Sequence, residues 1–484
     1  MKKNRIIFHF AAAVFLALPL LACAKSEPKA KYVFYFIGDG MGIQHITATQ
    51  NYLAGVEGTP MANKQLSFTT FPVTGFVQTY SDNRYITGSA AAGTALAAGY
   101  KTSVNTIGLA PNRIDTLHSI AYYAHNAGFN VGVATSVSVD HATPAAFYAH
   151  QPLRSNYHAI SHDMIRAGYK FFAGGGFKDP FGKKTDNPQG NIFEKGQQSG
   201  FYFTNSLSVT DSVINSYKSI VYTLDKPASG AALKYQIDSN DDDVTLSQVT
   251  SMGIDILDSP NGFLFMVEGG KIDWAAHDND AATVIHDVVA LSDAVDIALQ
   301  FYTQYPEQTL IVVTSDHETG GMSVGRRGSR YQSNVPLLAK QKLSLDQLNV
   351  EVGNFISRKK TKPTLNETIQ FLSNPQVLGM DSKRLTKAQL KRMSDAYSVA
   401  VLPQTAKQAE ANSKLYKSYN PIAITAVQLL NEMAGIGWTT GSHTASHVPV
   451  YAIGAGDYLF SGQLNNTDIP RRIATAMGLQ VDFK

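Results

Sequence analysis

Gly262-Phe-Leu-Phe-Met-Val267, the helix-like stretch Ala281–Phe301 and Thr309-Leu-Ile-Val-Val-Thr314 follow one another along the chain, and their order settles the fold class. Both short runs are apolar at nearly every position and rich in β-branched and aromatic residues. A strand with no polar face is buried on both sides, which is the habit of parallel sheets. Three further runs read the same way: Tyr32–Ile37, Asn130–Thr135 and Val448–Ile453, with a second helix-like stretch at Ile114–Ala127. Strands alternating with helices predict an α/β chain, a three-layer α/β/α sandwich around a mostly parallel central sheet.

Polar residues gather just past these runs: Asp39, Asp140-His141, Glu268 and Asp316-His317. In open α/β sheets ligands bind beyond the carboxyl ends of the strands, so these groups are expected on one edge.

Two segments break the alternation. Residues 180–243 are rich in Gly, Asn, Asp and Lys and end in Asp241-Asp242-Asp243, which reads as a surface insertion within the main α/β domain. Residues 325–430 carry three capping-box patterns, Ser344-x-x-Gln347, Thr364-x-x-Glu367 and Thr386-x-x-Gln389, and read as a mainly helical insertion, a lid or a dimer contact. The main α/β domain is then 25–325 with 430–484.

Composition excludes several classes. Hydrophobic residues make up 44% of the 484 and charged residues 16%, an ordinary globular balance. Lys2, Lys3 and Arg5 precede an apolar run from Ile6 to Leu21, which reads as a secretory signal rather than a membrane span. Without those three, the 41 basic residues fall level with the 38 acidic ones, so no nucleic-acid partner is indicated. Two cleavage patterns are open: a cut after Ala24 releasing a soluble protein, or lipidation of Cys23 after residue 22, attaching it to a membrane. Cys23 is the sole cysteine, so an intramolecular disulfide is excluded. The expected location is outside the cytoplasm, periplasmic or held at the outer membrane of a bacterium as a lipoprotein.

The chemistry is spread over separate clusters. Ser89, in Gly88-Ser-Ala-Ala-Ala-Gly-Thr-Ala-Leu-Ala97, opens a segment of high helix propensity. Such a serine often only caps its helix, but a helix N-terminus also favours an alkoxide or a phosphate. In Glu268-Gly-Gly-Lys-Ile-Asp-Trp-Ala-Ala-His277, Asp273 and His277 are four apart, and one helical turn brings them to one side. Asp316-His317 follows an apolar strand, Asp39 lies among turn-forming glycines, and Gly441-Ser-His-Thr-Ala-Ser-His447 offers two imidazoles. Any one of these is commonly a turn or a surface ion pair. Together on one sheet edge, so many carboxylates and imidazoles call for cations.

These blocks, in this order, resemble the alkaline phosphatases, both the bacterial periplasmic enzymes and the animal membrane-anchored ones. The resemblance runs from about residue 32 to 321 and again from about 437 to the C-terminus. It implies a phosphomonoesterase with two zinc ions and one magnesium, acting on small phosphate monoesters through a phosphoserine at Ser89, and commonly a homodimer. Carried over by position, Asp39, Asp316 and His317 match the ligands of the zinc that activates the serine. Asp273, His277 and His443 match those of the zinc on the leaving-oxygen side. Asp39, Thr143 and Glu268 match the magnesium site. Arg154, eleven residues after Thr143 in the sequence, matches the phosphate-clamping arginine. His141 and Trp274 fall beside these ligands, where members of the family differ, and read either as tuning or as packing residues. Gly88 stands where an aspartate usually orients the arginine, which implies weaker phosphate binding. A phosphodiesterase or another hydrolase or transferase of the superfamily, and a non-catalytic metal- or phosphate-binding lipoprotein, are the competing readings.

Overall fold

The computed structural model describes residues 29–59, 64–359 and 361–483. The expected leader, with Cys23, lies outside that range. A ten-stranded sheet runs through the molecule, built from β1 (Tyr32–Gly38), β2 (Val73–Gln78), β3 (Asn130–Thr135), β4 (Phe171–Ala173), β5 (Phe201–Thr204), β6 (Ser219–Tyr222), β7 (Phe263–Gly269), β8 (Thr309–Thr314), β9 (Val448–Gly454) and β10 (Gly462–Asn465). Their order is β10-β2-β9-β8-β1-β7-β3-β4-β6-β5. β9 alone runs against its neighbours β8 and β2. The sheet is therefore mostly parallel, with helices on both faces, as the apolar runs imply.

β1 shows why. All seven of its residues are buried, and successive side chains enter opposite layers. Val33, Tyr35 and Ile37 pack with Leu96 and Ala97 of helix α2 (Ser89–Ala98). Phe34 and Phe36 pack with Val288, Leu291 and Val295 of helix α4 (Ala281–Gln304). Helix α1 (Ile43–Val56) follows β1, and helix α3 (Lys271–His277) follows β7.

Register brings the functional edge level. Ile37 of β1 pairs with both Glu268 of β7 and Thr314 of β8, and Thr135 of β3 pairs with the same Glu268. The four central strands thus end together, so the residues after them emerge at one height.

The 180–243 segment does more than decorate the surface. Its Phe201–Thr204 and Ser219–Tyr222 runs form β5 and β6 and extend the sheet at one edge. Four apolar-rich residues each were too short to stand out against the polar turns around them. In the 325–430 region lie α5 (Leu345–Ser357), Leu365–Leu372, α6 (Lys387–Val401), Ala406–Tyr416 and α7 (Pro421–Ala434). Leu345 and Leu348 pack there with Ile422, Val427 and Leu430 in a third core. The Thr364–Glu367 and Thr386–Gln389 capping boxes close in both directions. Ser344 caps Gln347, but its own N–H donates to Asp238 at 2.7 Å instead. The Ile114–Ala127 stretch is helical only over Ile120–Asn126, starting where Ser119 accepts the Tyr122 N–H. No helix among the described residues is long and apolar enough to cross a membrane.

Candidate metal centre

Asp39 leaves β1 through Gly38-Asp-Gly-Met-Gly42 and is fully buried. Gly40 adopts φ +72°, and a Cβ there would stand 2.8 Å from the Thr319 hydroxyl and 2.9 Å from Asp273 Oδ1. Only a glycine lets the backbone pass this close to the carboxylate. Its N–H donates to Asp316 Oδ1 at 3.1 Å. Asp316 and His317 follow β8, and both are fully buried. His317 Nε2 lies 3.2 Å from Asp316 Oδ2, 3.5 Å from Asp39 Oδ1 and 3.3 Å from Ser89 Oγ.

Ser89 is the first residue of α2, after Gly88 in extended backbone. All ten residues of α2 are buried. Its alanines let it pack tightly, and the unpaired N–H groups of its first turn surround the serine.

On α3, Asp273 and His277 meet across one turn, with Oδ2 to Nε2 at 3.5 Å. His443 arrives from the short strand His443–Thr444, and its Nε2 stands 3.1 Å from His277 Nε2 and 3.6 Å from Asp273 Oδ1. The Nδ1 atoms of the two histidines face main-chain carbonyls, Gly441 O for His277 and Thr87 O for His443, both at 2.8 Å. Each Nδ1 therefore carries the proton and each Nε2 a lone pair. Two lone pairs aimed at each other repel unless a cation lies between them. Ligands about 2.0–2.1 Å from a tetrahedral zinc stand about 3.3 Å apart, close to these spacings.

The remaining groups make the same demand. Asp39, Asp316 and His317 offer donor atoms within 4.8 Å of one another, as do Asp273, His317 and His443, and Asp39, His141 and Glu268. Asp39 Oδ1, Asp316 Oδ2, Glu268 Oε1 and His141 Nδ1 are buried with no hydrogen-bond partner among the described residues. Burial, then the charges of Asp316, Asp273 and Glu268, hold the Asp39 carboxyl well above the usual range. Burial and neighbouring carboxylates push Glu268 up to about 8 and Asp316 to about 7. His317 is held well below its ordinary value by burial, then by His443 and His277. Carboxyls that seek protons beside imidazoles that refuse them fit divalent cations as the missing charge.

Comparison with known proteins agrees with this geometry. The alkaline phosphatase family model matches residues 30–479. The chain belongs to the alkaline phosphatase family. It is 31% identical to alkaline phosphatase 4 of Bacillus subtilis over 92% of this chain and 89% of that protein. It is 28% identical to alkaline phosphatase 3 of the same organism over 93% and 90%. The crystal structure of a cold-active alkaline phosphatase from a psychrophilic Shewanella superposes with a TM-score of 0.74 at 28% identity, over 92% of this chain and 99% of that one. As a family member it is a metal-binding hydrolase of phosphate monoesters, with the family's α/β fold.

Within this phosphatase fold, the structure brings all eight candidate ligands to one edge. The Thr143 hydroxyl meets Asp39 Oδ2 at 3.4 Å, and Thr135 donates to Glu268. His141, expected beside the ligands, joins Asp39 and Glu268 in a donor group. Its Nε2 also stands 3.1 Å from Arg154 Nη2, and Trp274 packs edge-on against its ring at 5.8 Å. Asp140 does not turn inward: it accepts from Lys178 N and Ser161 Oγ. His447 is exposed, and His286 packs against Tyr52.

Thr319 joins the cluster as well. Its hydroxyl donates to Asp273 Oδ1 at 2.6 Å and meets His317 Nδ1 at 3.2 Å, joining two ligand groups. It sits in the same Asp316-His-Glu-Thr319 block, but a threonine three residues past an aspartate carries no signal of its own.

Proposed function

We propose that this family member hydrolyses phosphate monoesters by in-line transfer of the phosphoryl group to Ser89 Oγ, with water regenerating the serine. The observation that carries it is Ser89 Oγ at 3.3 Å from His317 Nε2, at the head of α2 and beside three donor groups. Asp39, Asp316 and His317 would hold one zinc, and Asp273, His277 and His443 the other. Asp39, Thr143 and Glu268, with His141 beside them, would hold magnesium. A variant of the related phosphatase from the Antarctic bacterium TAB5 carries magnesium in its M3 site. Bound divalent cations would lower the serine's pKa and neutralise charge on the entering and leaving oxygens.

The chain's own groups do the rest. His317 Nε2 stands 3.3 Å from Ser89 Oγ, and with its lone pair on a cation it would not be free to take the serine's proton. The α2 N-terminus draws the dianion to Ser89. Arg154 presents a planar fork to two phosphoryl oxygens. Ser89 Oγ bonds to phosphorus as the P–O bond to the leaving group breaks; the serine's proton passes to water and the alcohol departs with a proton from water. A water oxygen then attacks the phosphoserine from the vacated side, releasing inorganic phosphate and the serine hydroxyl. Little covalent assistance is needed, because a monoester's transition state is loose and answers chiefly to positioning and charge.

The test is metal analysis of the purified protein together with hydrolysis of an aryl phosphate and of a bis-aryl phosphate. Ser89→Ala is expected to lose on the order of 10^3-fold or more in kcat. It should also lose the phosphoserine that forms from inorganic phosphate at acidic pH. Turnover surviving in Ser89→Ala, or a preference for the diester, refutes the assignment. The same reading includes export by the leader, through either cleavage, and a homodimer; the mass of the mature N-terminus and sedimentation check these.

A further inference from the structure

Beside the metal centre lies a second cavity of about 720 Å3 that the chemistry above does not use. Four arginines line it from separate segments: Arg326, Arg327 and Arg330 from the loop after Ser323–Val324, and Arg392 from α6. One carboxylate answers them. Glu432 of α7 pairs with Arg326 at 3.5 Å and with Arg392. Arg327 and Arg330 have no ion-pair or hydrogen-bond partner among the described residues. Trp438 also lines the cavity. Guanidinium groups in excess around one concavity are complementary to an anion rich in oxygens.

Its position gives the cavity a use. Asn279, on its wall, is two residues past His277, so their Cα atoms are within about 7 Å. Thr439, also on the wall, is four residues before His443 and is bonded through its N–H to Gly320 O at 3.1 Å. Both wall residues thus lead along the chain to His277 and His443, on the side of the centre that holds Asp273. We propose that the cavity receives the distal anionic group of the leaving alcohol, so that the preferred substrates are esters carrying a second phosphate several bonds from the scissile one. This rests on the proposed assignment of that side to the leaving oxygen.

Two measurements test it. First, kcat/KM at low salt is compared for alkanediol bisphosphates of graded spacer length and for the matching alkyl monophosphates. The best bisphosphate is expected to exceed its monophosphate at least about tenfold, roughly 1.4 kcal/mol. In an Arg327→Gln/Arg330→Gln protein that ratio falls towards one; both residues stand on an exposed loop. Second, the protein has two tryptophans, so in Trp274→Phe the fluorescence reports Trp438 alone. A non-hydrolysable alkane bisphosphonate should shift that signal, and the two arginine substitutions should abolish the shift. Equal kcat/KM values with an unmoved signal overturn the proposal. A signal moved by inorganic phosphate at the same concentration, with no kcat/KM ratio, assigns the cavity to a free anion and overturns its role in substrate selection. Failure to hydrolyse either ester while the arginine-dependent shift persists sinks the catalytic reading and leaves the anion cavity standing.

Discussion

Thr319→Val is the substitution that best separates a metal centre from a mere cluster of polar groups. The valine keeps the shape and removes one hydroxyl, in a site with no exposure to solvent. That hydroxyl has a single proton, spent on Asp273 Oδ1 at 2.6 Å. At 3.2 Å from His317 Nδ1, its oxygen must then accept, which keeps the proton on Nδ1 and the lone pair on Nε2, facing Ser89, Asp39 and Asp316. Without it, the imidazole gains by moving its proton to Nε2 and donating to Asp316, where it blocks a cation. Loss of a hydrogen bond to a charged group costs about 1.5–3 kcal/mol. Groups that orient metal ligands typically govern 10–100-fold in affinity, about 1.4–2.7 kcal/mol, so the two scales agree. Zinc affinity measured by competition with a colorimetric chelator should fall 10–100-fold in Thr319→Val and recover in Thr319→Ser. A valine protein that binds zinc as tightly as the parent would refute the tautomer argument.

Gly88→Asp should tighten inhibition by inorganic phosphate about tenfold, one charge-assisted hydrogen bond's worth. A Cβ at Gly88 meets only Val104 Cγ1, at 3.8 Å, and the neighbouring Asn105 carbonyl holds the Arg154 N–H at 2.8 Å; an unchanged inhibition constant counts against it. Burial, with Lys342 nearby, lowers His286 from its ordinary 6.5 to about 4, so it stays neutral when folded but protonates readily when unfolded. Its stabilisation, about 3 kcal/mol, is full above pH 6.5 and is lost as pH falls towards 4. Denaturant titrations should show a shallower acid loss in His286→Gln. With Glu268 raised to about 8 and Asp316 to about 7, the metal-free folded state binds more protons than the unfolded chain. Its stability should therefore rise as pH falls from about 8 towards 5, narrowing the Tm gap between metal-loaded and chelated protein; a gap independent of pH contradicts the cation argument.

The sequence alone carried the sheet and the order of its candidate ligands, for a local reason. A strand buried on both faces must be apolar at nearly every residue, so β1, β3, β7 and β8 announce themselves within six or seven positions. The acidic and imidazole groups that follow them stand at strand ends whatever the packing. Other features had no local mark. β5 and β6 are four residues each amid polar turns, and only pairing with β4 makes them strands. Residues 114–119 have apolar content but begin no helix, because Ser119 supplies the cap that starts one at Ile120.

Tertiary structure decided which atoms face which. The 3.1 Å approach of His277 to His443 joins residues 166 apart in sequence, and Thr319 reaches Asp273 across 46. The arginines of the second cavity come from a loop and a distant helix. Composition fixes what each side chain can do, and spacing fixes which strand end it follows. Whether two lone pairs meet, or which way a ring proton points, depends on strand register and main-chain carbonyls, which no short window of sequence contains.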